Sequence, residues 1–274
     1  MFAMISQADQ TTIPTDLEVH RTKMIRRDTT LSDGRLGWVL INQTEHARVA
    51  GELAAAWGRD PFLALASDEV LPTVFRHDDG WAEWERQPGI DPEHARPFEF
   101  LEMPPIQANE IWRRSIDHLA DLGPLSQYMV ASHFVGLRRK SDPPPDGPRA
   151  RFITEFDNRA QQWYADWQAA DADRNVDAVA DLALRQLQFF DSLSLWLCCA
   201  DRSEPHAMTA PCGRDVLLTP VSGTAIAVSP WPFIVSTLDL SVPGRAIPAG
   251  DYESSDDLAS APCASVELYW QLSA

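Results

Sequence analysis

The sequence predicts a mainly α protein: a helical bundle with a small β-rich C-terminal extension and short strands near the N-terminus. Three observations predict it. Apolar residues recur at helical spacing in six segments between residues 44 and 200. Past Pro205 the pattern changes to short β-branched runs separated by Gly, Pro and Asp. Hydrophobic content is 45%, with 10 Trp and 11 Phe in 274 residues, enough for a sizeable core. The expected organisation is a leader over residues 1–17, a helical domain over 18–204 and an extension over 205–274 packed on it.

Taken in order, residues 1–17 are polar and aperiodic and read as a mobile leader. Val19 to Arg27 and Gly37 to Asn42 read as short extended segments, the second a compact apolar run. Thr44 fits a helix N-cap, Glu45 to Trp57 carries an apolar stripe, and Gly58 supplies a stop. Ser67 starts a second helix, with Asp68 and Glu69 in its first turn, running through Phe75 to His77-Asp78 with Gly80 as its stop. Gln87 to Pro105 is rich in Pro and polar residues and reads as a long loop. Ala108 to Leu122 and Leu125 to Lys140 are helices broken by Gly123-Pro124. After the loop Ser141 to Pro148, Arg149 to Ala170 and Val176 to Ala200 are two long helices. Val216 to Thr219, Thr224 to Val228, Phe233 to Leu240 and Ser265 to Leu272 read as strands.

Composition excludes several classes. Asp and Glu total 40 against 23 Lys and Arg, a formal charge of −17, which argues against nucleic-acid polymers and anionic membranes as partners. No apolar run is long enough to span a bilayer, and the N-terminus lacks a basic segment followed by an apolar one, so a cytoplasmic protein is expected. Cys198, Cys199, Cys212 and Cys263 have no C-x-x-C spacing and read as reduced, mostly buried small hydrophobes. The Trp-rich composition allows a homodimer.

The candidate chemistry lies on four predicted helices: His46, His77-Asp78, His133 and Asp191. Asp191 sits in Leu187-Gln188-Phe189-Phe190-Asp191-Ser192-Leu193-Ser194, apolar on nearly every side. An unpaired carboxylate there would be driven to its neutral form, and a metal ion removes that cost. A buried Asp bonded to Ser, Trp or Arg is the plainer alternative, as a hydrogen-bonded core histidine is for His133. His77-Asp78 offers two adjacent donors at a helix end, although a helix-terminal His before a turn explains it too. Facing helices of a bundle are a common place for a metal site. Imidazole plus carboxylate suits a divalent ion such as Mn, Fe, Zn, Ni or Mg.

The order H…HD…H…D resembles the HD-domain superfamily of metal-dependent phosphohydrolases. The resemblance implies a helical metal-binding core with His46, His77, Asp78 and Asp191 as ligands, and His133 as an additional one. His77-Asp78-Asp79-Gly80-Trp81 is similar to the HD-x-G-K stretch of some members, with Trp81 where Lys stands. A closer similarity is to an uncharacterised bacterial domain-of-unknown-function family, through Gly37-Trp38, Gln43 to Ala47, His77 to Trp81 and Leu187 to Leu195.

On that resemblance the expected function is hydrolysis of a nucleotide or small phosphoester by metal-activated water. Asp78 is a ligand that also orients the water, Asp79 a base or a group holding the His77 tautomer, and His133 faces the site. Trp81 and Gln188 are candidate substrate contacts, Gln188 because it lies three residues before Asp191 on one helix face. Arg138, in the Arg138-Arg139-Lys140 cluster, is a candidate phosphate contact, although such a cluster also suits a helix C-terminus. Arg48 and Arg76 lie one or two residues from ligands and point elsewhere. Trp84 and Trp112 are candidates for a flat pocket or for packing, and Gln43 has a weaker case than Gln188. Two other readings stay open: a di-iron oxygenase on a related scaffold, and a non-catalytic scaffold whose β segment binds a partner.

Overall fold

A computed structural model describes residues 25–100, 102–140, 146–199 and 203–274. The expected leader, and most of the expected extended segment at Val19 to Arg27, lie outside the described residues.

The elements follow in order as β1 (Ile25–Thr30), β2 (Leu36–Ile41), α1 (Gln43–Ala55), α2 (Val70–Arg76), a 3-10 turn (Asp79–Trp81) and α3 (Ala82–Glu85). A two-stranded ribbon, β3 (Ile90–Asp91) and β4 (Arg96–Pro97), lies inside the expected loop. Then come α4 (Pro105–Asp117), α5 (Pro124–Arg139), α6 (Gly147–Ala170) and α7 (Asp177–Cys199). The last part holds β5 (His206–Thr209), β6 (Asp215–Pro220), β7 (Ala225–Ser229), β8 (Thr237–Pro248), α8 (Ser255–Ser260) and β9 (Ala264–Ser273).

The helices form where apolar spacing and stop signals place them. α4, α5 and α6 each carry Pro in the first turn, where its missing N–H costs nothing. At α8 the Ser254 hydroxyl accepts the Asp257 N–H at 3.1 Å, closing a short cap. α1 packs on α2 and α7, and α5 on α6 and α7.

The expectation of a mainly α bundle is overturned. The protein is 45% helical and 23% strand, with a seven-stranded sheet curled into a half-barrel, so it is not all-α and not an HD-type helical bundle. The strand order is β1-β2-β8-β9-β7-β6-β5. All pairs are antiparallel except β7 with β9. The N-terminal strands are therefore not a separate minor feature: β2 lies beside β8, with Leu40 opposite Arg245. The cause is tertiary. Pairing between strands so far apart in the chain leaves no local signal in either segment of which strand it joins. β8 is also longer than its apolar run suggested, because its last residues gain partners in β2 as well as β9. At Gly244 it comes so close to β2 that a Cβ would stand 2.7 Å from Val39 Cγ1.

One face of the sheet packs on the helices. Val39, Ile41, Leu218, Ile226, Val228, Leu240, Val242, Trp270 and Leu272 join the helical apolar residues in one continuous core. At one end of α1, Trp57 sits among Phe62, Phe189, Phe190 and Phe233, with ring centroids 5.0–5.8 Å apart. None of the four cysteines forms a disulfide; Cys198 is buried and Cys263 exposed. No helix among the described residues is long and apolar enough to cross a membrane.

Candidate metal centre

Four elements converge on one buried cluster. α1 supplies His46 from its second turn. The junction between α2 and the 3-10 turn supplies His77 and Asp78. α5 supplies His133, and α7 supplies Asp191. Their exposures are 1%, 0%, 5%, 4% and 7% respectively. His46 Nε2 lies 3.3 Å from both Asp78 Oδ2 and Asp191 Oδ1. His77 Nε2 lies 3.3 Å from Asp191 Oδ1 and 3.5 Å from Asp78 Oδ2. His133 Nε2 is 3.7 Å from Asp191 Oδ2. The His46 and His77 rings meet edge to face at 5.3 Å, and His77 and His133 at 6.3 Å.

The far side of each ring fixes which nitrogen faces inward. His77 Nδ1 donates to Val74 O at 2.8 Å. Ser194 Oγ donates to Asp191 O at 2.9 Å, so at its 2.7 Å contact with His46 Nδ1 it accepts. In the neutral form both rings thus carry their proton on Nδ1 and turn Nε2 toward the carboxylates, the tautomer a metal requires. His46 Nε2 has no aligned hydrogen-bond partner although it is buried.

Burial disfavours a charged His46, but Asp191 and Asp78 outweigh it and hold its pKa up at about 9. At His77 burial is likewise outweighed, by Asp78 and Asp191, and its pKa is raised. At His133 burial prevails over the pull of Asp191, and its pKa is lowered. Burial alone would raise the Asp191 carboxyl, yet the hydrogen-bonding imidazoles of His46 and His77 hold it below the usual carboxylate range. Such a site holds an unusual concentration of opposite charge that a divalent cation can organise. The ligand atoms of His46, His77 and Asp78 all lie within 4.8 Å of one another, close enough to hold one ion. The inward-facing Nε2 atoms and the mixed imidazole–carboxylate donor set fit such an ion.

The other sequence candidates lie elsewhere. Asp79 accepts from Arg76 Nε at 3.0 Å, and Arg76 also reaches Asp121 and His118 O. Trp81 is 2% exposed and packs with Phe98, Met103 and Ile111, its ring 5.7 Å from that of Trp84. Trp112 stacks on Phe134 at 4.6 Å. Arg138 lies over the Trp112 ring at 4.1 Å and donates to Asn109 Oδ1 at 3.1 Å. Burial, reinforced by Arg149, lowers its pKa to about 10. Gln188 is half-buried on α7. Arg48 pairs with Glu45 and Glu52 and donates to Ser241 O on β8.

Sequence reasoning missed three supporting residues. Ser194 orients His46 and stands one helical turn from Asp191, a spacing that was readable. Gln186 clasps the segment ahead of α2, accepting from Ala66 N at 2.9 Å and donating to Ala64 O at 2.8 Å. Glu85 grips the start of α1, accepting from Gln43 N–H and from Thr44 Oγ1. Burial pushes the Glu85 carboxyl up to about 7 against those two hydrogen bonds. A proton that the unfolded chain releases near 4.5 is therefore held to about 7 in the folded one. Stability linked to Glu85 is complete below the lower value and lost as pH rises through the upper. Relative to Glu85→Gln, the wild-type chain is expected to lose on the order of 3 kcal/mol over that interval, read by urea unfolding at each pH.

A curled antiparallel-rich sheet backed by helices, with a buried His–Asp cluster between those helices, defines a mixed α/β protein with a candidate metal centre. The chain belongs to the family described as a protein of unknown function (DUF3891), whose sequence profile matches residues 24–249. No curated protein matches the chain. No solved structure matches it either. None of these comparisons connects the family to the HD superfamily.

Proposed function

We propose that the chain is a metal-dependent phosphohydrolase or phosphodiesterase acting on a nucleotide or other small phosphoester. One observation supports the reading above others: residues in the order H…HD…H…D, far apart in sequence, meet in a single buried cluster. That order is the one in which the sequence is similar to HD-type phosphohydrolases, and the likeness extends to the ligand pattern and not to the fold. In this reading His46, His77, Asp78 and Asp191 hold a divalent ion, with His133 beside Asp191. When bound, the ion polarises a phosphoryl oxygen and lowers the pKa of a coordinated water.

The chain's own contribution is orientation and exclusion of solvent. Val74 O and Ser194 Oγ fix the two imidazoles in the tautomer that binds through Nε2, so only the Nε2 proton has to leave before they act as ligands. Asp78, its Oδ2 3.3 Å from His46 Nε2, can accept a proton from an incoming water. The −17 charge favours a small substrate over a polyanion. Four cysteines that form no disulfide suit a reducing cytoplasm.

One observation favours a second reading. With His133 at 3.7 Å from Asp191 there are five donors, enough for two ions sharing that carboxylate, as a di-iron oxygenase needs. Metal analysis separates the two, since two irons with an absorbing oxidised state favour the oxygenase. The phosphoester reading is tested with p-nitrophenyl phosphate and its bis-ester in the presence of Mn, Mg, Ni or Zn. Turnover is expected to require the metal and to fall to background in His77→Ala. Absence of turnover with every metal, or turnover unchanged in His77→Ala, overturns it.

A further inference from the structure

We infer that Gln43 is a substrate-contacting residue of this centre, its side-chain amide donating a hydrogen bond to an oxygen of a phosphoryl group or free phosphate held there. The inference rests on the phosphoester reading above and adds to it a residue outside the ligand pattern.

Gln43 is 2% exposed, yet its Nε2 has no hydrogen-bond partner. Buried amide groups are nearly always satisfied, and one left open within a well-packed interior points to a partner that arrives with a ligand. Gln43 lies three residues before His46 in α1, and both are buried. Residues at that spacing share a helix face and stand about 4.5 Å apart along the axis. His46 Nε2 faces the carboxylates of Asp78 and Asp191 at 3.3 Å without an aligned hydrogen bond. One composite ligand meets both side chains on this face of the helix. His46 addresses a cation, and the amide addresses an oxygen of the anion that the cation carries.

The backbone of Gln43 is fixed independently of its side chain. Its N–H is taken by the Glu85 carboxylate, which also holds the neighbouring Thr44 hydroxyl. The amide is therefore presented from a rigid start of helix, without the entropy cost of ordering a loop. For folding alone, an apolar side chain of similar length would serve better, because it has no polar group to leave unsatisfied. A group that costs stability in the free protein is explained if binding uses it.

The test is Gln43→Met, with Gln43→Leu as a second variant, in the full-length chain. Inorganic phosphate is titrated calorimetrically into the Mn-loaded protein, Mn content is measured on the same samples, and Tm is recorded without metal. The wild-type protein is expected to bind phosphate, and both variants to bind it about tenfold more weakly. Mn content should be unchanged, and metal-free Tm equal to or above that of the wild type. Equal phosphate affinity in the variants overturns the role of Gln43 and leaves the phosphoester reading standing. Failure of the Mn-loaded wild type to bind phosphate overturns both. Loss of Mn from the variants places Gln43 on the metal and overturns the role stated here. A lower Tm in both variants shows the amide engaged within the folded chain, with the same consequence.

Discussion

On the proposed reading, Asp191→Ala is expected to bind a divalent metal more than about 100-fold more weakly than the wild-type chain. The measurement is metal content after dialysis against a chelator-buffered series. Asp191 is the hub of the cluster: one oxygen stands 3.3 Å from both His46 and His77, and the other 3.7 Å from His133. Its removal leaves three imidazoles around the single carboxylate of Asp78. Even without metal the variant should suffer, because His46 keeps only one of its two carboxylate partners in a site that is 1% exposed. Breaking a buried pair typically costs about 3–5 kcal/mol, so urea unfolding of the metal-free variant should show a loss of that order. Asp191→Asn keeps the volume and removes only the charge. It should fold better than Asp191→Ala while binding metal equally poorly. Full metal retention by either variant would remove Asp191 from the centre.

The second large effect is expected at Gly80. A Cβ built there would stand 2.2 Å from Ile111 O and 2.4 Å from Ser115 N, both backbone atoms of α4. Neither can yield without moving the helix. The Gly80 N–H is also bonded to Ser115 Oγ at 3.1 Å, which pins the turn against α4. Gly80→Ala should therefore destabilise the protein by about 3 kcal/mol, at the upper end of overpacking costs. Gly80 follows Asp78 by two residues, so on the proposed reading the shift should also reach the candidate metal centre and lower Mn affinity. Unchanged urea midpoint and unchanged Mn binding together would show that α4 yields freely.

These two sites illustrate what was legible in the sequence. Each ligand candidate stood in its own apolar helical setting, and four helices carrying such residues can satisfy them most economically by bringing them together. Gly80 was read as a helix stop, while its closer constraint is the approach of α4, which no local pattern carries. Gln188 and Ser194 lie equally far from Asp191 along α7, on either side. Only the packing of α1 against α7 selects Ser194 as the partner of His46. Asp79 and Trp81 belonged to the same short motif as the ligands, but neighbouring positions in a tight turn point in different directions. Asp79 turns outward to Arg76 and Trp81 inward to the core. The sheet was the largest omission. Its strands were mostly located, yet β8, the distant partner of β2, is absent from any window of sequence around it, and β5, His-Ala-Met-Thr, lacks the β-branched apolar run that marks the others.

The pairing of β2 with β8 has a consequence for the order in which the molecule can be made. Leu40 leaves the ribosome about 200 residues ahead of Arg245, its partner across the sheet. At typical elongation rates that separation amounts to roughly 10–40 s. During that interval the helices from α1 to α7 can assemble, because α7 ends at Cys199, well before Arg245, whereas the open side of β2 has no mate. Such high contact order predicts slow final closure. It also predicts a nascent species whose exposed edge must be shielded, by a chaperone or by low concentration, until β8 arrives to cover it.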